Sequence, residues 1–428
     1  MNIITTVNIK GLWGSQDVSI NFHEKNNFII GVNGTGKTTL INLLSAALTI
    51  DIEKLMRIEF NSLDIKFKEV GGTRRPSIRV SKNSDFVDDG LTYEIKRAAK
   101  EDPIKATINP DFNRVFFETN DVTRMYKKRY QKNNAAMMYE IGSILDDLIK
   151  VSWLSVNRTD NTYNVDYEKK TMSTIDHKII NLNNDLVRYF SALSQQFSEH
   201  TIEFQKQSFL ALISNEGAKA AFKFSSSIDI EIERKKLIEV FEVLGVENKS
   251  YAKKLNDHFA RVDKIKNNVN FTGISGDDFS VIYNSWRVHT LIADYDVLQT
   301  KKTNIFKPRD NFINLLNSMF GGRKNFSVSD KNELIVKTKD NRPIGLDELS
   351  SGEKQLLIIL GETLLQHSKS VIYIADEPEL SLHVIWQEQL TGAISKLNPN
   401  AQIIFATHSP DIVGANQDSI INMESIVL

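Results

Sequence analysis

The chain has 428 residues, enough to bury a substantial core and long for one domain, so two lobes or one domain with a large insertion is expected. Its 53 Lys and Arg balance 54 Asp and Glu to a net charge of −1, so no global field drives binding to nucleic acid or acidic membranes. Any such contact must come from a local patch. Cysteine is absent, which excludes disulfides and thiolate-held metals.

Met1 to Lys10 alternates polar and apolar residues like a strand and lacks the charged and apolar regions of a signal peptide. No run reaches the roughly 18 uncharged apolar residues that a membrane span needs. A soluble, cytoplasmic protein is the expectation. Val18 to Phe22 alternates, Phe28 to Ile30 reads as a short buried strand, and a Gly-rich loop follows. Thr38 to Leu48 then carries Leu40, Leu43, Leu44 and Ala47 at helical spacing. Further on, Ile65/Phe67, Ile78/Val80 and Val115/Phe116/Phe117 are candidate strands of a β-rich decoration, and Val151 to Val156 is another.

From about Asp176 to Gln299 proline disappears and charge is dense. Ile179, Leu182, Leu186, Tyr189 and Leu193 follow a 3-4-3-4 spacing, and Tyr251, Leu255, Phe259 and Val262 repeat the idea. These runs predict long amphipathic helices, either an antiparallel coiled-coil hairpin or a helical bundle packed on the core. The α/β texture then returns. Leu334 to Lys337 reads as a strand, a helix begins at Gly352, and Ser370 to Ala375 and Gln402 to Ala406 are apolar enough for a parallel sheet covered on both faces. The expected layout is an N-terminal lobe over 1–170, a helical or coiled-coil insertion over 171–300, and a C-terminal lobe over 301–428.

Gly31-Val32-Asn33-Gly34-Thr35-Gly36-Lys37-Thr38 fits the phosphate-loop pattern G-x-x-x-x-G-K-[ST], between a strand and a helix as that motif requires. Its glycines let backbone N–H groups face phosphates, and the helix adds its positive end. Asn33, Gly34, Gly36, Lys37, Thr38 and Thr39 are therefore candidate ATP ligands, with Lys37 on the β and γ phosphates and Thr38 on Mg²⁺. Val371-Ile372-Tyr373-Ile374-Ala375-Asp376-Glu377 is a buried strand ending in two carboxylates. Asp376 is the second Mg²⁺ candidate. Glu377 is the candidate base that orients and deprotonates an attacking water.

Leu349-Ser350-Ser351-Gly352-Glu353 opens a helix, and Ser350 and Gly352 would offer a hydroxyl and a bare backbone at its N-terminus; the same residues also make an ordinary helix cap. With the two motifs above, this run resembles the signature of ABC-type ATPases in the Rad50, RecF and OLD-like branch. The resemblance implies an α/β ABC-type P-loop ATPase head with a helical insertion. It also implies a dimer or higher homo-oligomer in which Ser350 and Gly352 cap the ATP held by Lys37 of a second copy. Glu379-Leu380-Ser381-Leu382-His383 looks like the D-loop that lines such an interface, and Thr407-His408-Ser409-Pro410 resembles the switch motif, with His408 on the γ-phosphate. Ser351 stands where transporters usually have glycine and His383 where they have aspartate, both in keeping with the non-transporter branch. Asn157-Arg158 occupies the place of the Q-loop.

Asp376 to His383 with the signature is most similar to the compact ATPases of bacterial anti-phage systems, the AriA type of PARIS first and the PtuA type of Septu next. That resemblance implies a regulatory ATPase that holds or activates a separate nuclease or toxin, since little chain follows His408. The alternative is a RecF-like DNA-binding ATPase. Arg124, Lys127, Lys128, Arg129 and Lys132, with Tyr126 and Tyr130 among them, would be its groove unless they form a solvated helix face.

Overall fold

The computed structural model describes residues 2–82, 90–108, 136–154, 173–213, 221, 229–267, 275–367, 369–414 and 416–427. The chain divides into two compact units, one of residues 1–187 and 311–428 and one of residues 188–310.

The first unit is built on two main sheets. One is antiparallel, in the order β2-β1-β4-β5-β6-β7: β1 (Asn2–Leu12), β2 (Gln16–Asn21), β4 (Ser62–Glu69), β5 (Ser77–Lys82), β6 (Leu91–Lys96) and β7 (Ile104–Ile108). The other is wholly parallel, in the order β14-β3-β13-β12-β8: β3 (Asn26–Ile30), β8 (Val151–Leu154), β12 (Ile372–Asp376), β13 (Gln402–Ala406) and β14 (Ile420–Asn422). Strand alternation explains the first: Ile65, Phe67, Ile78, Val80, Tyr93 and Ile95 are buried while their neighbours in sequence face outward. The central strands of the second are buried on both faces and read as continuous apolar runs.

Helix α1 (Lys37–Thr49) belongs to the same apolar cluster as the inner faces of both sheets. Leu40, Ile41, Leu43, Leu44 and Ala47 are buried with Ile29, Ile374 and Ile404 from one sheet and Val7, Ile65 and Tyr93 from the other. Tyr93 on β6 donates its hydroxyl to the Ala47 carbonyl at 3.3 Å. A short α2 (Ile52–Arg57) and a helix over 136–148, α3, complete this part.

Helices α4 (Thr174–Ile213), α5 (Ile230–Val243), α6 (Asn248–Asn267) and α7 (Gly276–Met319) supply the second unit and the adjoining ends of α4 and α7 in the first. Within the second unit α4 and α7 run antiparallel, since Phe197 meets Phe306 at 5.8 Å and Phe204 meets Tyr295 at 6.1 Å between ring centres. The α5–α6 pair buries Tyr251, Leu255 and Phe259 against Leu237 and Phe241. Its polar ties to α7 include Glu233 to His289 at 2.6 Å, Lys236 to Asp296 at 3.3 Å and His258 to Ser285 at 3.1 Å. The arrangement thus has features of both sequence expectations: a long antiparallel helix pair, and a second helical pair packed on it. Two details differ from the sequence reading. On α4 the buried stripe continues through Phe190, not Tyr189, because a 3.6-residue period drifts from a 3.5-residue repeat. And α7 continues through Pro308 to Met319, where Phe312 and Leu316 are fully buried.

In the first unit, β9 (Lys324–Val328), β10 (Leu334–Thr338) and β11 (Pro343–Ile344) form a small antiparallel sheet, and α8 (Ser351–Leu365) follows. Helix α9 (Val384–Leu397) joins β12 to β13. The start of α4 packs on α8: Lys354 donates to Asp176 at 2.6 Å, and the Leu182 side chain lies against Gly361. None of the described helices is long and apolar enough to cross a membrane.

Glu362 on α8 is enclosed, and burial pushes its carboxyl up to about 7, with Lys178 pulling the other way. Between the ordinary carboxylate pKa and about 7, only the folded chain holds this proton, so stability falls as pH rises through that window. Thermal unfolding should therefore show the parent losing more stability than Glu362→Gln between pH 5 and pH 8, by on the order of 2 kcal/mol. Identical pH profiles for the two proteins would contradict this.

Candidate functional site

Strands β3, β13 and β12 lie side by side and parallel, so the segments leaving their C-terminal ends share one edge of the sheet. The Gly31–Gly36 loop leaves β3, the Glu377–His383 segment leaves β12, and Thr407–Ser409 leaves β13.

The loop after β3 is shaped by its glycines. Gly36 caps α1 with φ +87° and, being glycine, has no side chain to satisfy the first amides of that helix. A Cβ at Gly36 would also lie 2.3 Å from the Trp13 ring, so both the backbone angle and the neighbour require glycine here. Lys37 is only 6% exposed, and its ammonium donates to the Gly31 and Val32 carbonyls at 2.7 and 3.2 Å. A buried ammonium held by its own loop is preorganised for an anion entering that loop. Thr35 closes the turn with a hydroxyl bond to the Val32 carbonyl at 2.8 Å, and Glu424 accepts the Val32 N–H at 2.9 Å. Asn33, Gly34 and Thr38 are exposed along the crest of the loop, and Thr39 is half-buried.

Asp376 ends β12 beside Thr38 and Lys37. Burial raises its carboxyl above the usual range and Glu377 and Glu379 add to the effect, while the Thr38 hydroxyl and Lys37 oppose it. Its Oδ1 is buried without a hydrogen-bond partner among the described residues. An orphaned carboxylate oxygen beside a threonine hydroxyl is a hard-oxygen set of the kind a nucleotide-bound Mg²⁺ uses, so these residues fit that cation. Glu377, next along, has φ +49°, a strained angle for a side chain of this size, and its N–H donates to the Ala406 carbonyl at 2.8 Å. Its Oε1 lies 3.7 Å from His408 Nε2.

Ser350 and Gly352 lie at the start of α8, as expected, in a capping box: Glu353 accepts the Ser350 N–H at 2.8 Å, and Ser350 Oγ accepts the Glu353 N–H at 3.4 Å. Lys324 donates to the same Glu353 at 2.6 Å. Gly352 has a further reason to be glycine that spacing does not reveal. A Cβ there would come within 2.2 Å of the Ser381 carbonyl, so the turn that opens α8 packs directly on the Glu379–His383 segment of its own chain. Gln355 strengthens the contact by donating to the Pro378 carbonyl at 2.9 Å. No hydrogen bond or ion pair among the described residues links Ser350 or Gly352 to the Lys37 loop. His383 accepts the Ile385 N–H at 3.4 Å as the cap of α9, a duty an aspartate would perform equally well.

The structure thus brings the Lys37 loop, Asp376, Glu377 and His408 to one edge, while Gly352 lies against Ser381 and Ser350 caps its own helix. Sequence reasoning missed Trp13, a lone aromatic at a hairpin turn, and Glu379, whose carboxylate binds the His408 segment. Glu379 sits in the D-loop run, and only its burial singles it out. Asn157 and Arg158 lie outside the described residues, as do Arg124, Lys127, Lys128, Arg129 and Lys132.

The chain is similar to several known proteins. The chain is 31% identical over 150 residues to the Septu protein PtuA of Bacillus thuringiensis, a match covering 31% of this chain and 37% of that protein. It is 21% identical over 432 residues to the retron Ec83 probable ATPase of Escherichia coli, covering 96% of this chain and 69% of that protein. Among solved structures, the Smc head domain of Pyrococcus furiosus bound to ScpA is 14% identical with a TM-score of 0.48, covering 99% of this chain and 93% of that one. The head of Thermotoga maritima SMC is 10% identical at 0.40, covering 98% and 94%. The strand order and the inserted helices described above make the chain an α/β fold with a long helical insertion. The AAA ATPase domain model matches residues 1–413, nearly the full length, and the chain therefore belongs to the AAA ATPase domain family.

Proposed function

We propose that this chain binds ATP with Mg²⁺, hydrolyses it in a pocket completed by a second copy, and uses the cycle to control a separate effector protein. The observation that carries the ATPase reading is the convergence on one sheet edge of a preorganised lysine loop, an orphaned carboxylate oxygen and a strained glutamate facing a histidine.

In this reading Lys37 and the open amides of α1 hold the β and γ phosphates, and Trp13 offers a flat face beside Gly36 for the base. Thr38 and Asp376 would hold Mg²⁺, which when bound would supply positive charge to offset that of the phosphates. Glu377 takes a proton from the attacking water, and His408 stands opposite to steady the γ-phosphate. Ser350 makes no hydrogen bond to the Lys37 loop of its own chain among the described residues, so an ATP brought by another copy is the ligand proposed for it. The likeness to the Septu and retron proteins supports an anti-phage role, and the signature and D-loop favour the regulatory type seen in PARIS systems. The RecF-like alternative depends on a basic cluster outside the described residues and has no observation to carry it.

Lys37→Ala should abolish ATP binding in isothermal titration and Trp13→Ala should weaken it severalfold; unchanged affinity in both would contradict the loop assignment. Glu377→Gln should retain binding, lose about a hundredfold or more in kcat, and accumulate as an ATP-bound dimer on size exclusion with light scattering. A parent rate of phosphate release from that variant would remove Glu377 from the role of base. Ser350→Arg should block both dimerisation and hydrolysis while leaving ATP binding to the monomer intact. A fully active monomer carrying that change would end the shared-pocket model.

A further inference from the structure

Glu379 is a buried carboxylate with no part in the mechanism above. It is 8% exposed, and its Oε1 accepts three hydrogen bonds from one short segment: Thr407 Oγ1 at 2.6 Å, His408 N at 3.0 Å and Ser409 N at 3.3 Å. Its Oε2 is buried and unpartnered among the described residues. A carboxylate taken out of water at that cost is retained only where its position matters, because replacing it by an apolar residue would relieve the orphaned oxygen.

The surrounding bonds form a closed network. Ser409 Oγ donates to Gln387 Oε1 at 2.7 Å, and Gln387 Nε2 donates to the Leu382 carbonyl at 2.9 Å. The Leu382 N–H returns to the Glu379 carbonyl at 2.9 Å. The backbone of His408 is thereby tied to the D-loop, and the D-loop lies against Gly352 at the start of α8. His408 in turn faces Glu377. One side chain, on the turn leaving β12, therefore sets the backbone from which the histidine projects after β13.

We propose that Glu379 is the positioning residue of the switch, holding His408 opposite Glu377 and transmitting the state of the D-loop to it. Glu379 contacts only protein groups and acts through His408, not on nucleotide. The inference rests on the ATPase reading given above and adds to it a link between the face that a second copy would meet and the group that meets the γ-phosphate.

The full chain would be assayed for steady-state hydrolysis and equilibrium ATP binding as Glu379→Ala, Glu379→Gln, Glu379→Asp, His408→Ala and the Glu379→Ala/His408→Ala double variant. Glu379→Ala should lower kcat by tenfold or more while leaving the ATP Kd within about threefold, the scale expected for lost hydrogen bonds to a charged acceptor. Glu379→Gln should recover most of the rate, because its amide oxygen can accept the same three bonds. In the His408→Ala background the Glu379→Ala change should cost less than about twofold, since its route of action is already gone. Full activity in Glu379→Ala, multiplying losses in the double variant, or a folded Glu379→Gln as slow as Glu379→Ala would each overturn the proposal. Should Glu379→Ala fail to fold, an active Glu379→Gln beside a slowed Glu379→Asp, whose carboxylate is withdrawn by one methylene, supports it and the reverse order refutes it. Glu377→Gln separates the two levels of inference. If that variant hydrolyses ATP normally, the site reading fails; if it is inactive while Glu379→Ala is not, only the role of Glu379 fails.

Discussion

Because β3, β13 and β12 are parallel neighbours, the loop after Ile30 must emerge at the same edge as the segments after Asp376 and Ala406, which lie far beyond it in the chain. The register is held by bonds that cross the sheet: Ile403 N–H to the Lys25 carbonyl at 2.7 Å, Thr407 N–H to the Ile29 carbonyl at 3.1 Å, and Glu377 N–H to the Ala406 carbonyl at 2.8 Å. A slip of one residue in β12 would turn Asp376 to the opposite face of the sheet and separate it from the Lys37 loop. The chemistry of the site depends on this register more than on any single side chain. Gln402 helps to fix it from the other end, fully buried and bonded to both the N–H and carbonyl of Ile4 at 2.8 Å. The same bonds tie the parallel sheet to β1 of the antiparallel one.

Three carboxylates within four residues meet three different environments. Asp376 is half-buried beside a hydroxyl and an ammonium, with one buried oxygen unpartnered among the described residues, an arrangement suited to a cation. Glu377 sits half-exposed on a strained backbone and faces a histidine, an arrangement suited to handling a water. Glu379 is turned inward and spends its Oε1 on the backbone of the neighbouring turn. Crowding of like charge is tolerable because the three are divided between protein donors, a lysine and the solvent-facing mouth.

Helix α8 links several parts of the first unit. Its N-terminus packs on the D-loop through Gly352, its Gln355 holds the Pro378 carbonyl, its Lys354 reaches Asp176 at the start of α4, and its Gly361 accepts Leu182. Two of these contacts need a glycine and two need a long polar side chain, which accounts for residues on α8 that an ordinary amphipathic helix would not carry. Movement of α8 would therefore be felt both at the turn after β12 and at the first turns of the inserted helix.

Much of this was legible in the sequence for local reasons. The phosphate loop is a contiguous motif whose glycines and lysine act through their own backbone, so Gly31 to Thr38 could be read without a neighbour. The strand ending at Asp376 and the strand Gln402–Ala406 announced themselves by unbroken apolar runs, and Ser350 by its capping pattern. Tertiary structure alone decided what depends on distant partners. Trp13 matters because the fold stands it over Gly36, Gly352 because the Ser381 carbonyl lies where a side chain would go, and Glu379 because the turn after β13 arrives within reach of its carboxylate. Periodicity and motif spacing carry no information about such approaches, since each is fixed by the register of strands far apart in the chain.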